Sequence, residues 1–206
     1  MKGKFITFEG TEGSGKTSVI KEVRKYLENL GYDVMVTREP GGIEISERIR
    51  EILLDKNNQE MDPRTEALLF AAARRQHLIE KILPALKANK IVLCDRFVDS
   101  SLVYQGHARN IGIDKVYEIN YFAIEEALPD LTIFVDVRPE VGLKRVFSTP
   151  NREVNRLDLE NLAFHKTIYE GYLSLMKKYD RIKRVNGEQE ISLVVKDTIK
   201  VIEEVI

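Results

Sequence analysis

The segment Gly10-Thr11-Glu12-Gly13-Ser14-Gly15-Lys16-Thr17 has the spacing G-x-x-x-x-G-K-[ST], a pattern built to hold a phosphate. Glycines are needed there because backbone N–H groups must turn inward around the anion, and side chains would block them. In such a loop Lys16 reaches the β- and γ-phosphates of a nucleoside triphosphate and Thr17 supplies an oxygen to Mg²⁺. A helix beginning near Gly15 points the positive end of its dipole at the same anion. The loop assigns ATP or GTP to residues 10–17 but leaves the reaction open, because switches, motors and transporters share it. An acid at the end of a second strand must also organise the metal. Asp95 ends an apolar run and is followed at once by Arg96, so it is the favoured candidate, acting directly or through a metal-bound water. Asp136 sits inside its run and reads as a structural, hydrogen-bonded carboxylate.

These residues need strands and helices to position them, and the hydrophobic pattern supplies both. Residues 4–9 (KFITFE), 33–37, 90–95, 131–137 and 182–185 are short, β-branched or continuously apolar, as buried strands are. Helical spacing of apolar residues covers 14–30, 45–54, 64–83, 113–127, 140–147, 157–179 and 191–206, with Gly31 ending the first and Pro84 expected to kink or interrupt the third. Short apolar strands alternating with long helices predict an α/β fold: a doubly wound, parallel five-stranded sheet flanked by helices. Ligands of such sheets lie at the carboxyl ends of the strands. No repeat, low-complexity tract or linker divides the chain, so residues 1–206 are expected to form a single domain. The polar, Pro-containing stretch 148–156 is the one candidate flexible insert.

Composition narrows the partners. Hydrophobic residues are 43% and charged residues 32% of the 206, which excludes a disordered chain. A formal charge of −1 gives no global field for nucleic acid or an anionic membrane, so an anionic substrate must be held by locally placed cations. Cys94 is the single cysteine, no apolar run is long enough to span a bilayer, and no leader pattern precedes the first strand. Cytoplasm is the expected compartment.

Further motifs follow the strands. Thr37-Arg38-Glu39-Pro40-Gly41-Gly42 succeeds the second strand, Leu69-Phe70-Ala71-Ala72-Ala73-Arg74-Arg75 lies mid-helix, and Asp95-Arg96-Phe97 ends the third strand. Asp99-Ser100-Ser101 and Tyr104-Gln105-Gly106 come next. In order and spacing, over nearly the whole chain, these resemble the thymidylate kinases of bacterial type, within the P-loop nucleoside monophosphate kinases. The resemblance implies ATP-dependent, Mg²⁺-assisted phosphorylation of dTMP to dTDP by direct in-line transfer, in a homodimer. It implies that Arg38 and Arg96 hold the acceptor phosphate, supported by Arg50, as guanidinium forks suit phosphate.

For the base, the resemblance places Arg74 at thymine O4, Gln105 at N3 and Phe70 stacked on the ring, with Ser101 at the base or a water. An amide can flip, so Gln105 alone cannot choose between thymine and cytosine; Arg74 is donor-only and can. Glu12 is implied near the 3′-hydroxyl and Tyr104 under the sugar, where a 2′-hydroxyl would be crowded. Residues 148–156 correspond to a lid. Because the P-loop carries Glu12 and no arginine, Arg152 or Arg156 is implied to meet the transferring phosphoryl group, and Val185-Asn186-Gly187 to lie near the adenine. His77, His107 and His165 are expected to be structural or solvent-facing, since a phosphate nucleophile needs no general base. A deoxynucleoside kinase is the alternative enzyme, but its hydroxyl acceptor would need a carboxylate base where Arg38 and Arg96 stand. A nucleotide-dependent switch would need partner-facing loops in place of a second basic pocket.

Overall fold

Strands β1 (Lys4–Glu9), β2 (Val34–Arg38), β3 (Ile91–Asp95), β4 (Leu131–Asp136) and β5 (Ile182–Asn186) form one sheet in the order β2-β3-β1-β4-β5, every pair parallel. The computed structural model describes residues 3–148 and 155–206. The doubly wound, five-stranded architecture expected from the sequence is the one observed. Each strand ends on a polar residue, Glu9, Arg38, Asp95, Asp136 or Asn186, so one edge of the sheet is a row of chemically useful side chains. The register sets the end of β3 between its neighbours, with Asp95 level with Arg38 on one side and Phe8 on the other.

Period-2 alternation divides the strands between two cores. Ile6, Phe8, Leu93, Ile133 and Val135 face one side, where they pack with Val19, Val23 and Leu27 of α1 (Lys16–Asn29) and Val194 and Ile202 of α9 (Ile191–Glu203). Phe5, Val92, Cys94 and Phe134 face the other. That side is covered by α3 (Pro63–His77), α6 (Ile113–Ile124) and α8 (Leu162–Lys178), with α2 (Glu44–Leu54) packed outside α3. No helix among the described residues is long and apolar enough to cross a membrane.

Three elements depart from the expected pattern. Pro84 does not interrupt its helix. The chain widens into a π turn at Leu78–Ile82, where Leu83 N–H bonds Leu78 O, and then continues as α4 (Leu83–Lys87). The wider turn moves aside the carbonyl that the proline ring would otherwise strike. After β3 the motif residues form a helix that the hydrophobic spacing did not reveal: α5 (Val98–Ser101) runs into a second π stretch, Leu102–Ala108, which carries Tyr104 and Gln105. Residues 157–179, expected as one helix, divide into a 3₁₀ turn (Leu157–Leu159) and α8, whose N-cap Asn161 accepts from Phe164 N–H at 2.9 Å.

The phosphate loop is locked to α7 (Pro139–Ser148) by glycine. A Cβ on Gly13, whose φ is +70°, would sit 2.1 Å from Gly142 O, and one on Gly142 would sit 2.2 Å from Glu12 O. No side chain fits on either partner.

Asp99, quoted above only as part of a motif, anchors the α5 segment. It is fully buried and accepts both terminal nitrogens of Arg181, at 2.6 and 2.7 Å, and the Thr132 hydroxyl at 3.1 Å. Removing one member of a buried pair strands the other charge, which costs about 3–5 kcal/mol. Asp99→Ala should therefore lose about 3 kcal/mol or more of unfolding free energy in urea titrations. A loss below about 0.5 kcal/mol, the range of bland surface changes, would show that the pair does not hold the segment.

Candidate active site

At the carboxyl edge of the sheet a cavity of about 240 Å³ opens beside the phosphate loop. It is lined by Glu12, Thr17, Arg38, Arg50, Phe70, Arg74, Asp95, Arg96, Ser101, Tyr104 and Gln105, which brings together residues singled out from five separate stretches of sequence. Glu39, Pro40, Leu54, Ser100, Asn155 and Leu157 complete the wall.

Lys16 departs from the position its role suggests, a side chain facing solvent. It is buried, and its ammonium donates to Gly10 O, Thr11 O and Ser14 Oγ, each at 3.2 Å. Burial and the nearby Arg96 cation lower its pKa to about 8, against the pull of Asp95, Glu12 and Glu9. Gly10, Gly13 and Gly15 all take positive φ, as inward-turning amides require. Thr17 Oγ1 donates to Asp95 Oδ2 at 2.9 Å, so two hard oxygen donors meet where the cradle opens into the cavity. Mg²⁺ binds such sites through one or two protein oxygens together with substrate phosphates and water, so these residues fit it. Asp136 is instead spoken for by Arg184, whose Nε donates to it at 2.6 Å.

The cations of the cavity differ in freedom. Arg96 has φ +69°, a left-handed backbone that costs a non-glycine residue about 1–3 kcal/mol. It is held there by donating to Glu12 at 2.8 Å, Ser100 Oγ at 3.1 Å and Tyr172 OH at 3.3 Å, with the Tyr104 ring beneath its guanidinium. Glu12 in turn accepts from Tyr104 OH at 2.9 Å. Burial alone would raise the Glu12 pKa, but Arg96, Lys16 and the Tyr104 hydroxyl outweigh it and bring it down to about 2. Arg38 is half exposed and reaches Glu47, and Arg50 Nη1 donates to Pro40 O at 2.9 Å.

Arg74 is fixed from all sides. Its Nε donates to Glu39 at 2.7 Å, Nη1 to Ser101 Oγ at 3.0 Å and to Asn120 Oδ1, and Nη2 to Phe97 O at 3.0 Å. Four of the five guanidinium hydrogens are thus used, and one N–H remains for the cavity. Glu39 also accepts from the His77 ring at 3.0 Å, and His77 meets Thr37 Oγ1 at 2.7 Å, so His77 is a buried structural group. His165 is buried too, and burial lowers its pKa.

The two lid arginines separate. Arg152 lies outside the described residues. Arg156 is 5% exposed, donates to Leu53 O at 2.9 Å and Glu66 Oε2 at 2.5 Å, and does not line the cavity. As placed, it is an anchor, and a part in phosphoryl transfer would require breaking a buried ion pair.

Three acids of the site were not singled out by the sequence reading. Glu9 ends β1 and accepts from Phe97 N–H at 2.8 Å, Ser100 Oγ at 2.6 Å and Tyr172 OH at 2.8 Å. Glu39 lay inside a quoted motif without a role. Glu66 stands at i, i+4 and i+8 with Phe70 and Arg74 on α3, a spacing that would have found it.

Comparisons with known proteins agree with this geometry. The family model described as "Thymidylate kinase" matches residues 8–198. Curated relatives called thymidylate kinase include one from Oceanobacillus iheyensis, 57% identical over 98% of this chain and 90% of its own length. Another, from Clostridium novyi, is 58% identical over 94% of this chain and 95% of its own. The crystal structure of thymidylate kinase from Ehrlichia chaffeensis superposes with a TM-score of 0.79 at 32% identity, covering 98% of this chain and 99% of that one. With the P-loop, the arginine-lined cavity and the full-length match in agreement, the chain belongs to the thymidylate kinase family.

Proposed function

We propose that this protein transfers the γ-phosphoryl group of ATP to dTMP, giving dTDP and ADP. The observation that carries the reading is the cluster of Arg38, Arg50 and Arg96 in a cavity that also meets the phosphate loop at Glu12 and Thr17, beside Asp95. Three guanidinium groups describe an acceptor that is itself a phosphate. A phosphate oxygen is already deprotonated at neutral pH. It attacks the γ-phosphorus, the bond to the β-γ bridging oxygen breaks, and ADP leaves with that electron pair, so no general base is needed. Catalysis then rests on alignment and charge neutralisation.

The residues divide the work. The cradle of Gly10, Thr11, Gly13, Ser14 and Gly15 takes the donor phosphates, and Lys16 exchanges its loop oxygens for phosphate oxygens as ATP enters. Thr17 and Asp95 would hold Mg²⁺, which when bound neutralises charge on the β- and γ-oxygens. Phe70 stacks on thymine, the one remaining N–H of Arg74 meets O4, and Gln105 faces N3. Ser101 holds Arg74 from the side at 3.0 Å. Glu12 and Tyr104, joined at 2.9 Å, stand at the sugar. Of the two lid arginines we assign Arg152 to the transferring phosphoryl, because Arg156 is committed to Leu53 and Glu66. The protein works as a homodimer in the cytoplasm. For the dimer, α3 and α6 pack side by side and expose Leu68, Tyr121 and Phe122, an apolar surface suited to a second copy.

Three measurements test these roles. In a coupled assay with ATP, dTMP should be consumed with kcat/KM at least about 100-fold above thymidine, as phosphate-binding cations demand; preference for thymidine would make the chain a nucleoside kinase. Lys16→Met should lower kcat by about 10³-fold, the scale on which one electrostatic contact to a transition state is lost, and near-normal turnover would remove Lys16 from the mechanism. Arg152→Ala should lower kcat by about 10³-fold with little change in dTMP affinity, whereas Arg156→Ala should cost about 3 kcal/mol of stability and leave kcat of the folded enzyme within about tenfold. A kcat collapse in Arg156→Ala alone would reverse the assignment.

A further inference from the structure

Behind Gln105, outside the lining of the cavity, lies a carboxylate that none of these roles uses. Glu66 is 1% exposed. Its Oε1 accepts from Gln105 Nε2 at 2.8 Å and its Oε2 from Arg156 Nη2 at 2.5 Å, with Arg109 3.4 Å from both oxygens. A carboxylate between two guanidinium groups has no hydrogen to give, so the end of the Gln105 amide that it can meet is the NH₂. The flipped amide would set oxygen against oxygen in a buried contact, leaving the amide oxygen unpaired and Glu66 Oε1 with only the long contact from Arg109. Among the described residues, Gln105 Oε1 has no protein partner, and Gln105 lines the cavity.

We propose that Glu66 is a positioning residue for base choice. It locks the Gln105 amide so that a carbonyl oxygen faces the base, turning a side chain able to read either pattern into one that accepts a ring N–H and refuses a ring lone pair. The inference rests on the placement of dTMP in this cavity with Gln105 at N3. Beside it, the free N–H of Arg74 presents a donor. The wall therefore offers acceptor then donor, the complement of N3–H and O4 in thymine or uracil. Cytosine, with a lone pair at N3 and an amino group at C4, is opposed at both positions. A parallel lock operates one layer behind: Asn120 Nδ2 donates to Val116 O at 2.8 Å, which leaves its Oδ1 for Arg74.

Glu66→Gln is isosteric and can meet either end of the Gln105 amide, so it releases the lock. The experiment measures kcat/KM for dTMP and dCMP in wild type, Glu66→Gln, Gln105→Ala and the double variant. Glu66→Gln should lower the dTMP/dCMP ratio about tenfold or more, chiefly by admitting dCMP, and should change the ratio no further when Gln105 is already alanine. A residue that merely shaped the pocket would lower the ratio equally in both backgrounds, and that result overturns the proposal. If Gln105→Ala lowers the ratio and Glu66→Gln does not, the lock is wrong while the base reading stands. If Gln105→Ala leaves the ratio untouched, the reading of N3 by Gln105 falls, and the lock falls with it. Should Glu66→Gln fail to fold, the wild type answers alone. The 5′-phosphate of a 2-pyrimidinone deoxynucleoside has a lone pair at position 3 and nothing at C4, and its 2-pyridinone counterpart has C–H there. The locked amide should use the pyrimidinone about tenfold less well; equal or better use overturns the proposal.

Discussion

Where β1 ends, the buried carboxylate of Glu9 joins three parts of the molecule that are distant in sequence. It accepts from the backbone of Phe97 just after β3, from Ser100 in α5 and from Tyr172 in α8. Burial and the neighbouring charge of Asp99 push its pKa up, while Arg96 and the hydrogen bonds from Ser100 and Phe97 oppose them. Arg96 needs that support as much as it gives it. Its left-handed backbone is held by the residues on either side, Asp95 in β3 and Phe97 on Glu9, and its guanidinium lines the cavity. The phosphate loop begins at the next residue after Glu9, so one carboxylate fixes the loop and the Arg96 segment relative to each other.

In a chain with almost no net charge, three arginines of the cavity are each paired with an acid: Arg96 with Glu12, Arg38 with Glu47, Arg74 with Glu39. Exposure decides what each pair can do. A half-exposed pair such as Arg38–Glu47 is worth little and can be exchanged for a phosphate at small cost. The Arg74–Glu39 pair is out of reach of water, and breaking it would be expensive. Glu12 belongs between them. Its folded pKa lies below the ordinary carboxylate value, so its pairing adds stability above pH about 4.5 and loses it as pH falls toward about 2. Across the neutral range it stays charged opposite Arg96.

Much of this was legible in the residues. Strand alternation and the glycine spacing gave the sheet, its parallel sense and the cradle, because both signals are local. The cavity's composition came from motifs at strand ends, where topology forces residues together. What escaped were the acids that hold the cations. Glu9 was read only as the last residue of a strand and Glu66 was not singled out, since acids inside an element are usually exposed. Burial of Lys16 was not legible either, since its contacts are two loop carbonyls and the Ser14 hydroxyl, set by the fold of the loop. The helix of residues 98–108 escaped because a π stretch has neither the 3.6-residue period nor the period of two on which pattern reading depends.

The contact between Gly13 and Gly142 sets the direction of α7. Backbone meets backbone there without a side chain between, so the helix lies as close to the phosphate loop as two peptide chains can. From Gly142 the helix runs to Ser148, about 9 Å at 1.5 Å per residue. The heading on which the chain leaves the sheet toward residue 149 is therefore fixed by the two residues that put no side chain between loop and helix.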